Sequence, residues 1–370
     1  MRTTVVGGAL QGVEAAYLAH KAGWDVLLID KKNSVPASGL CDSFVQMDVT
    51  ETDRLNSLLK NTDLIIPALE NLPALNALLQ WSRTSGVPLA FDADAYATSS
   101  SKLESNRLFA RIGVPTPLPW PDCGFPLIAK PNSGSGSRGV RVFHNQSQLK
   151  EYFPDSFPPK DRILQEYAEG PSFSLEVLGS PGNYTTLQVT DLEMDAGYDC
   201  KRVLAPTTLS TQLAARFKEI SVAIAEAIHL KALMDVEVIL HRGQLKVLEI
   251  DARLPSQTPT AVYWSTGYNM LEGLAGTSNK AFETEETHHR GVVYEHIKVS
   301  PGSIEVCGEH IMADAGPLHL RSNFFGADEA ITNYTPGCRQ WKATLIITGK
   351  NRELAWKKRN NIIESLSLEL

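Results

Sequence analysis

The sequence has 370 residues, 43% hydrophobic and 21% charged, which suits a globular protein of two or three domains, since domains cluster near ~100–150 residues. A formal net charge of −7 argues against a nucleic-acid partner, which calls for a basic stripe, and favours small molecules whose phosphates are met through cations. The five cysteines form no CxxC pair, no apolar run reaches the ~20 residues of a membrane helix, and MRTTVVGGALQG is not patterned as a signal peptide. Reduced thiols, no membrane partner and a cytoplasmic location are therefore expected.

Residues 3–7 (TTVVG) are a β-branched run, GGALQG is a turn, and Val13, Ala16, Tyr17 and Leu18 recur at helical spacing up to Gly23. The strand DVLLID follows, then SFVQMDV, a helical TDRLNSLLK, the strand DLIIPAL, a helix from about Pro73 to Thr84, and a short strand VPLAFD. This β-α-β series predicts a parallel sheet. Helix-like SSKLESNRLFARIG ends at Gly113, and the proline-rich VPTPLPWPD is a linker. PLIAKP reads as a strand, NSGSGSRG as a Gly/Ser loop and VRVFH as a strand, and RILQEYAEG with FSLEVLG continues an antiparallel pattern. Apolar positions 213, 217, 220, 224 and 228 trace one helix face. The strand ALMDVEVIL, the turn HRGQ and the returning strand LKVLEID come next. ARLPSQTPT is irregular, and GVVYEHIKV, KATLIIT and a helical RELAWKKRNNIIESL make a last lobe. The predicted class is α/β, with an α+β central part. Its predicted divisions are a parallel α/β domain at 1–95, a central 96–290 carrying a Gly/Ser lid loop at 132–139, and a lobe at 291–370.

The hairpin is the most informative segment. Alternation places Asp235 and Glu237 on one face of the first strand and Glu249 and Asp251 on one face of the second. Four like charges need cations, and oxygen ligands at this density suit Mg²⁺ on nucleotide phosphates; the bland reading is a solvated hairpin face. Arg253 projects from the same side if the strand persists. Lys130, within apolar PLIAKP, is costly to bury unless it meets an anion; Lys102 is a weaker candidate. NSGSGSRG could cradle phosphate or be a hairpin tip, and it lacks the GxxxxGK[ST] pattern. GGALQG with Asp30 about 22 residues later imitates a dinucleotide fingerprint, but Ala9 and Leu10 stand where GxGxxG needs glycine. Glu70 and Asn71 lie at the carboxyl edge of the first sheet, where ligands bind, although Asn71 also fits a helix cap. Glu176, Asp199 and Glu295 read singly as surface or ion-pair residues, and His288 and His289 as solvated.

The linker, the KP-loop-strand unit, the EYAEG hinge and the DVEV…LEID hairpin resemble the ATP-grasp superfamily, preceded by its Rossmann-like domain. The resemblance implies ATP and two Mg²⁺ ions. It implies a hinge, Gln165, Glu166, Tyr167 and Ala168, that holds adenine through its backbone. Phosphates fall to Lys102 and Lys130, with Ser137 on the lid, and Asp30, Asp48 and Val49 join the nucleotide contacts. Glu249 matches the metal-bridging glutamate, and Asp235 or Glu237 the other acid. Asp251 stands where asparagine is common, and Ser172 where related ligases carry a ribose-binding glutamate. More narrowly, GGALQGVEAAYLAHKAG, PALENL, GYDCKR, LMDVEV and VLEIDARLPSQTPTAVYWSTG resemble the ligases that join 3-methyl-D-ornithine to the N6 amine of L-lysine with ATP in pyrrolysine biosynthesis. That resemblance implies catalysis by Glu249 and Arg253. It implies substrate contacts at Leu10, Gln11, Glu70, Asn71, Glu169, Ser174, Glu176, Asp199, Ser256 and Glu295. Another carboxylate–amine ligase, a nicotinamide-dependent dehydrogenase and a non-catalytic nucleotide-binding regulator are the competing readings.

Overall fold

A computed structural model describes residues 1–134, 136–154, 159, 161–276 and 289–369. In chain order its first elements are β1 (Arg2–Val6), α1 (Leu10–Lys21), β2 (Asp25–Asp30), β3 (Ser43–Gln46), α2 (Thr52–Leu58), β4 (Leu64–Pro67), α3 (Leu72–Ser85), α4 (Ala93–Ser99) and α5 (Lys102–Ile112). Then come β5 (Leu127–Pro131), β6 (Arg141–Phe143), α6 (Gln146–Tyr152), β7 (Arg162–Glu166), β8 (Ser172–Ser180), β9 (Asn183–Thr186), β10 (Thr190–Met194), β11 (Cys200–Ala205) and α7 (Thr211–Ala227). The remainder is β12 (Leu233–His241), β13 (Gln244–Asp251), α8 (Thr258–Thr266), α9 (Met270–Leu274), β14 (Gly291–Ser300), β15 (Ser303–Val306), α10 (His310–Ala313), β16 (His319–Phe324), β17 (Ala327–Thr332), β18 (Trp341–Gly349) and α11 (Arg352–Glu369). The chain forms two compact units, one of residues 1–91, 200–207 and 254–370, the other of residues 92–199 and 208–253.

In the first unit, β3-β2-β1-β4 form a parallel sheet. β1 is rich in β-branched residues and buried on both faces, as a strand covered by helices requires. The turn into α1 is tight: a Cβ on Gly12 would lie 2.2 Å from Gly7 O, and one on Gly8 would lie 2.2 Å from Val35. Asn71 caps α3 by accepting from Ala74 N at 3.0 Å, and Gly86 ends that helix in the left-handed region. VPLAFD is not a strand; only Leu89 pairs, as an isolated bridge to Ile65. The same unit holds an antiparallel sheet β11-β14-β18-β17-β16, with β15 on β14. Against this sheet pack Ala355, Ile362 and Leu366 of α11. α8 starts inside the segment read as irregular, and β16 and β17 lie where no strand was predicted.

In the second unit, β6-β5-β7 form a small antiparallel sheet, and β13-β12-β8-β10, with β9 on β8, form a larger one. Ser101 and Gly113 bound α5 as cap and left-handed stop. Phe217, Ile220 and Ile224 of α7 join Phe173, Leu175, Val236 and Val238 in one core. The β12–β13 hairpin turns on Arg242 (φ 51°) and Gly243 (φ 79°), two positive-φ residues whose twist matches that of paired strands. A bulge between Glu237 and Val238 shifts the register, so Glu237 faces Glu249 whereas Val238 faces Val247, leaving Leu248 without an opposite residue. All five cysteines are free of disulfides. Among the described residues, no helix is long and apolar enough to cross a membrane.

Candidate active site

The second unit assembles most of the predicted nucleotide residues. Asp235 faces Asp251 and Glu237 faces Glu249 across β12–β13, and on the other side Asp235 faces Glu176 and Glu237 faces Ser174 of β8. Directly opposed residues share a sheet face, so five carboxylates and a serine form two rows across three strands. Burial pushes both Asp235 and Glu237 well above the usual carboxylate range, and repulsion adds to it, chiefly from Glu176 at Asp235 and from Glu249 at Glu237. Burial also opposes ionisation of Glu249, but Lys102 and Lys130 outweigh it and hold this carboxyl low.

The lysines arrive from two directions. Asn132 fixes the start of α5, its side chain accepting from Ser101 Oγ (3.1 Å) and Leu103 N (2.9 Å), while its carbonyl accepts from Lys102 N (2.9 Å). Lys102 Nζ thereby lies 3.0 Å from Glu249 Oε2 and donates to Gly134 O at 3.2 Å. Lys130 sits on β5; burial pulls its ammonium down, and Glu249 partly restores it. Arg253 follows the end of β13, and its Nη2 lies 2.5 Å from Asp251 Oδ2. The strand does not persist to Arg253, but the ion pair still brings the guanidinium beside the acids.

Lys102, Lys130, Ser137, Glu237 and Glu249 line a cavity of about 420 Å³ together with the hinge residues Gln165 to Glu169, a size in the ordinary range for small-molecule sites. The hinge is anchored from outside: Glu166 N donates to Leu118 O at 2.8 Å and Trp120 N to Leu164 O at 3.0 Å. The Glu166 carboxylate is held by Lys246 Nζ at 2.5 Å and Leu118 N at 3.1 Å. The Glu166 side chain is thus engaged away from the hinge backbone. Gly134, Gly136, Ser137 and Gly139 all have positive φ, so the loop doubles back on itself. Ser137 Oγ donates to Tyr198 O at 2.7 Å, and Tyr198 OH donates to Tyr167 OH at 3.3 Å. This bond, more than burial, pushes the Tyr167 hydroxyl up to about 12. Ser135 lies outside the described residues.

Glu176 and Asp199, each read from sequence as a surface or ion-pair residue, are 0% and 8% exposed. Ser174 Oγ donates to Asp235 Oδ1 in a short bond. Glu169 is exposed at the cavity rim.

The first unit carries the other predicted residues. Leu10 and Gln11 open α1, and exposed Glu70 and capping Asn71 follow β4. Asp30, Asp48, Val49 and Asn71 line a second cavity of about 630 Å³. Both Asp30 oxygens are engaged locally, by Gly8 N (2.7 Å) and Lys32 N (2.8 Å). Backbone and side-chain bonds from Thr50 hold Asp48 low. Ser256 Oγ donates to Glu309 Oε2 at 2.7 Å. Glu295 is fully buried between two arginines, Arg202 on one oxygen and Arg359, at 2.8 Å, on the other. The Trp356 ring lies beneath both guanidiniums, at 4.8 and 5.3 Å. Neither arginine was singled out from sequence as a partner of Glu295, although Arg202 ends the string GYDCKR. His289 is buried, not solvated; His288 lies outside the described residues.

Comparison with known proteins gives a consistent pattern. The ATP-grasp domain family matches residues 99–257. The chain is 36% identical over 360 residues to a 3-methyl-D-ornithine–L-lysine ligase of Methanosarcina mazei, covering 96% of this chain and 93% of that one. An ADP complex of an N5-carboxyaminoimidazole ribonucleotide synthetase superposes with a TM-score of 0.72 at 14% identity, covering 98% and 96% of the two chains. The biotin carboxylase domain of a Hydrogenobacter thermophilus 2-oxoglutarate carboxylase, in complex with MgADP, ADP and bicarbonate, gives 0.74 at 16% identity, covering 98% and 89%.

Proposed function

The chain belongs to the 3-methyl-D-ornithine–L-lysine ligases of the ATP-grasp family, and we infer from this that it joins the carboxylate of 3-methyl-D-ornithine to the N6 amine of L-lysine. ATP becomes ADP and phosphate, an acyl phosphate is the intermediate, and the product, 3-methylornithyl-N6-lysine, lies on the route to pyrrolysine. The observation that carries the reading is identity of 34–36% over almost the whole length of three such ligases. The lysine–carboxylate centre around Glu249 supplies the chemistry that such a ligase needs.

The carboxylate rows fit Mg²⁺, because they offer hard oxygen donors at high density, and mutual repulsion adds to burial in pushing Asp235 and Glu237 up. We assign metal to Glu237, Glu249 and Asp251, for two ions; Glu237 and Glu249 line the nucleotide cavity, while Asp235 is bonded to Ser174. The ions, when bound, neutralise phosphate charge so that a carboxylate can attack the γ-phosphorus. Lys102 and Lys130 are assigned to phosphate oxygens and the hinge backbone of Gln165 to Ala168 to adenine, with Ser137 closing from the loop; that all of them line one cavity supports the reading. Arg253, kept beside Asp251, stabilises the oxyanion that develops as the amine attacks the activated carbonyl, and then the departing phosphate. Ser174, Glu176, Asp235, Glu169 and Asp199 are assigned to the ornithine moiety. In the first unit Asp30, Asp48 and Val49 are assigned to nucleotide, Glu70, Asn71, Leu10 and Gln11 to lysine, and Ser256 and Glu295 to orienting substrate. Free lysine has a side-chain pKa near ~10.4, so the site has either to desolvate the amine or to offer a carboxylate as base before attack.

Incubation with ATP, Mg²⁺, L-lysine and 3-methyl-D-ornithine, followed by mass spectrometry, is expected to show one condensed product and equimolar phosphate. Phosphate release without a condensed product would overturn the substrate assignment while leaving ATP chemistry standing.

A further inference from the structure

Glu14 is among the acidic residues that lie outside every role above. Glu14 stands in the apolar helical run VEAAYLA of α1 and is 1% exposed, a placement that is costly for a carboxylate unless donors meet it. Its donors are the backbone groups that open α8. Thr260 N donates to Glu14 Oε1 at 2.6 Å, and the backbone of Gln257 supplies another bond. The first N–H groups of a helix have no intrahelical acceptors and carry the positive end of its dipole, so one buried anion serves both.

Gln257 itself is strained. It holds φ at 73° without being glycine, a conformation that persists only where the surroundings impose it. Gln257 Oε1 and Thr258 Oγ1 are buried and make no hydrogen bond among the described residues, and next to them Ser256 is tied to Glu309. The segment thus presents polar atoms in a backbone shape that two acids impose, Glu14 from α1 and Glu309 from the turn before α10.

We propose that Glu14 is a positioning residue that shapes the 256–260 segment for its amino-acid substrate, and that its ionised form is the one that does so. This rests on the assignment of Ser256 and its neighbours to substrate. The titratable groups facing Glu14 are Tyr17 on its own helix, Tyr294 on β14 and Glu309. Burial pushes both tyrosines up, so they stay neutral, and Glu309 adds negative charge. Burial, opposed by the hydrogen bonds from Thr260 and Gln257, pushes Glu14 up to about 7. A carboxylate accepts from two N–H groups, whereas a protonated carboxyl turns an O–H toward one of them. The grip is therefore complete above pH 7 and weakens as pH falls through it.

Glu14→Gln copies the protonated form, since its amide N–H₂ replaces one acceptor. In wild-type protein KM for the amino-acid substrates is expected to rise about tenfold from pH 8 to pH 6, the titration of one group with this pKa, with kcat unchanged. E14Q is expected to show the raised KM at both pH values. An equal pH 6–8 rise in E14Q, or a flat wild-type profile, overturns the proposal. Hydrogen exchange of the amides of Gln257, Thr258, Thr260 and Ala261, corrected for intrinsic rates, provides a readout without turnover. Protection in wild type at pH 8, lost at pH 6 and absent in E14Q at both, is expected, and equal protection in the two proteins would refute it. If wild type makes no product, the substrate reading fails while the exchange data still decide the role of Glu14.

Discussion

Replacing Glu237 by glutamine should make the metal-free protein more stable and its nucleotide complex less so. In the register of β12 and β13 Glu237 stands directly opposite Glu249, where cross-strand Cβ atoms are ~5 Å apart. Two charges at that separation repel by about 3 kcal/mol at an effective dielectric constant near 20. Lys102 and Lys130 offset part of this, and the partial exposure of Glu237 screens more, so a net gain of about 1–2 kcal/mol is expected in E237Q. For a unit of this size 1 kcal/mol corresponds to roughly 2–4 °C in Tm, giving a rise of about 2–8 °C by differential scanning fluorimetry in EDTA. The sign follows from linkage: a carboxyl whose folded pKa is raised costs stability above that pKa and costs nothing below the unfolded value, so the gain should shrink as pH falls toward 4.5. With Mg²⁺ and a non-hydrolysable ATP analogue the order should invert, because a ligand at 100 times its Kd adds about 2.7 kcal/mol, and E237Q should lose much of that. A lower Tm for E237Q in EDTA would refute the idea that this carboxylate is held against its own repulsion.

Glu249→Ala should abolish product formation while leaving the far-UV circular dichroism spectrum unchanged; measurable ligation would remove Glu249 from the catalytic centre. Glu14→Gln, besides its kinetic effect, should stabilise the protein at pH 8 by up to about 3 kcal/mol, from a shift of 4.5 to about 7 at roughly 1.4 kcal/mol per unit. That gain should vanish below pH 4.5, as denaturant titrations at the two pH values would show. Gly12→Ala places a Cβ 2.2 Å from Gly7 O and should cost about 1–3 kcal/mol; an unchanged Tm would contradict the tight β1–α1 turn.

The hairpin was legible because its signal is local: two strands, a short turn and acids at alternate positions fix which side chains share a face. The same holds for α5 between Ser101 and Gly113, and for α3 above Asn71. What the sequence hid depends on contacts distant along the chain. Glu176 reads as an ordinary strand acid until β8 pairs with β12 and sets it opposite Asp235. Glu295 needs Arg202 and Arg359, separated from it by 93 and 64 residues. VPLAFD had strand composition without a partner to pair along its length, and LPSQTPT carried two prolines that concealed a helix starting at Thr258. The distinctive strings carried the substrate assignment; no periodicity could have supplied it.

The bulge after Glu237 has an effect on wiring. In an unbroken strand neighbouring residues point to opposite faces, so Leu248 and Glu249 could not both serve one ligand. With one residue looped out they both line the cavity of about 420 Å³, as an apolar contact and a charged one whose Cα atoms are ~3.8 Å apart. That length does not flex with side-chain rotamers or loop motion. The two backbone positions on the cavity wall are therefore held at a fixed separation, and a substitution at one changes the chemistry it presents without displacing the other.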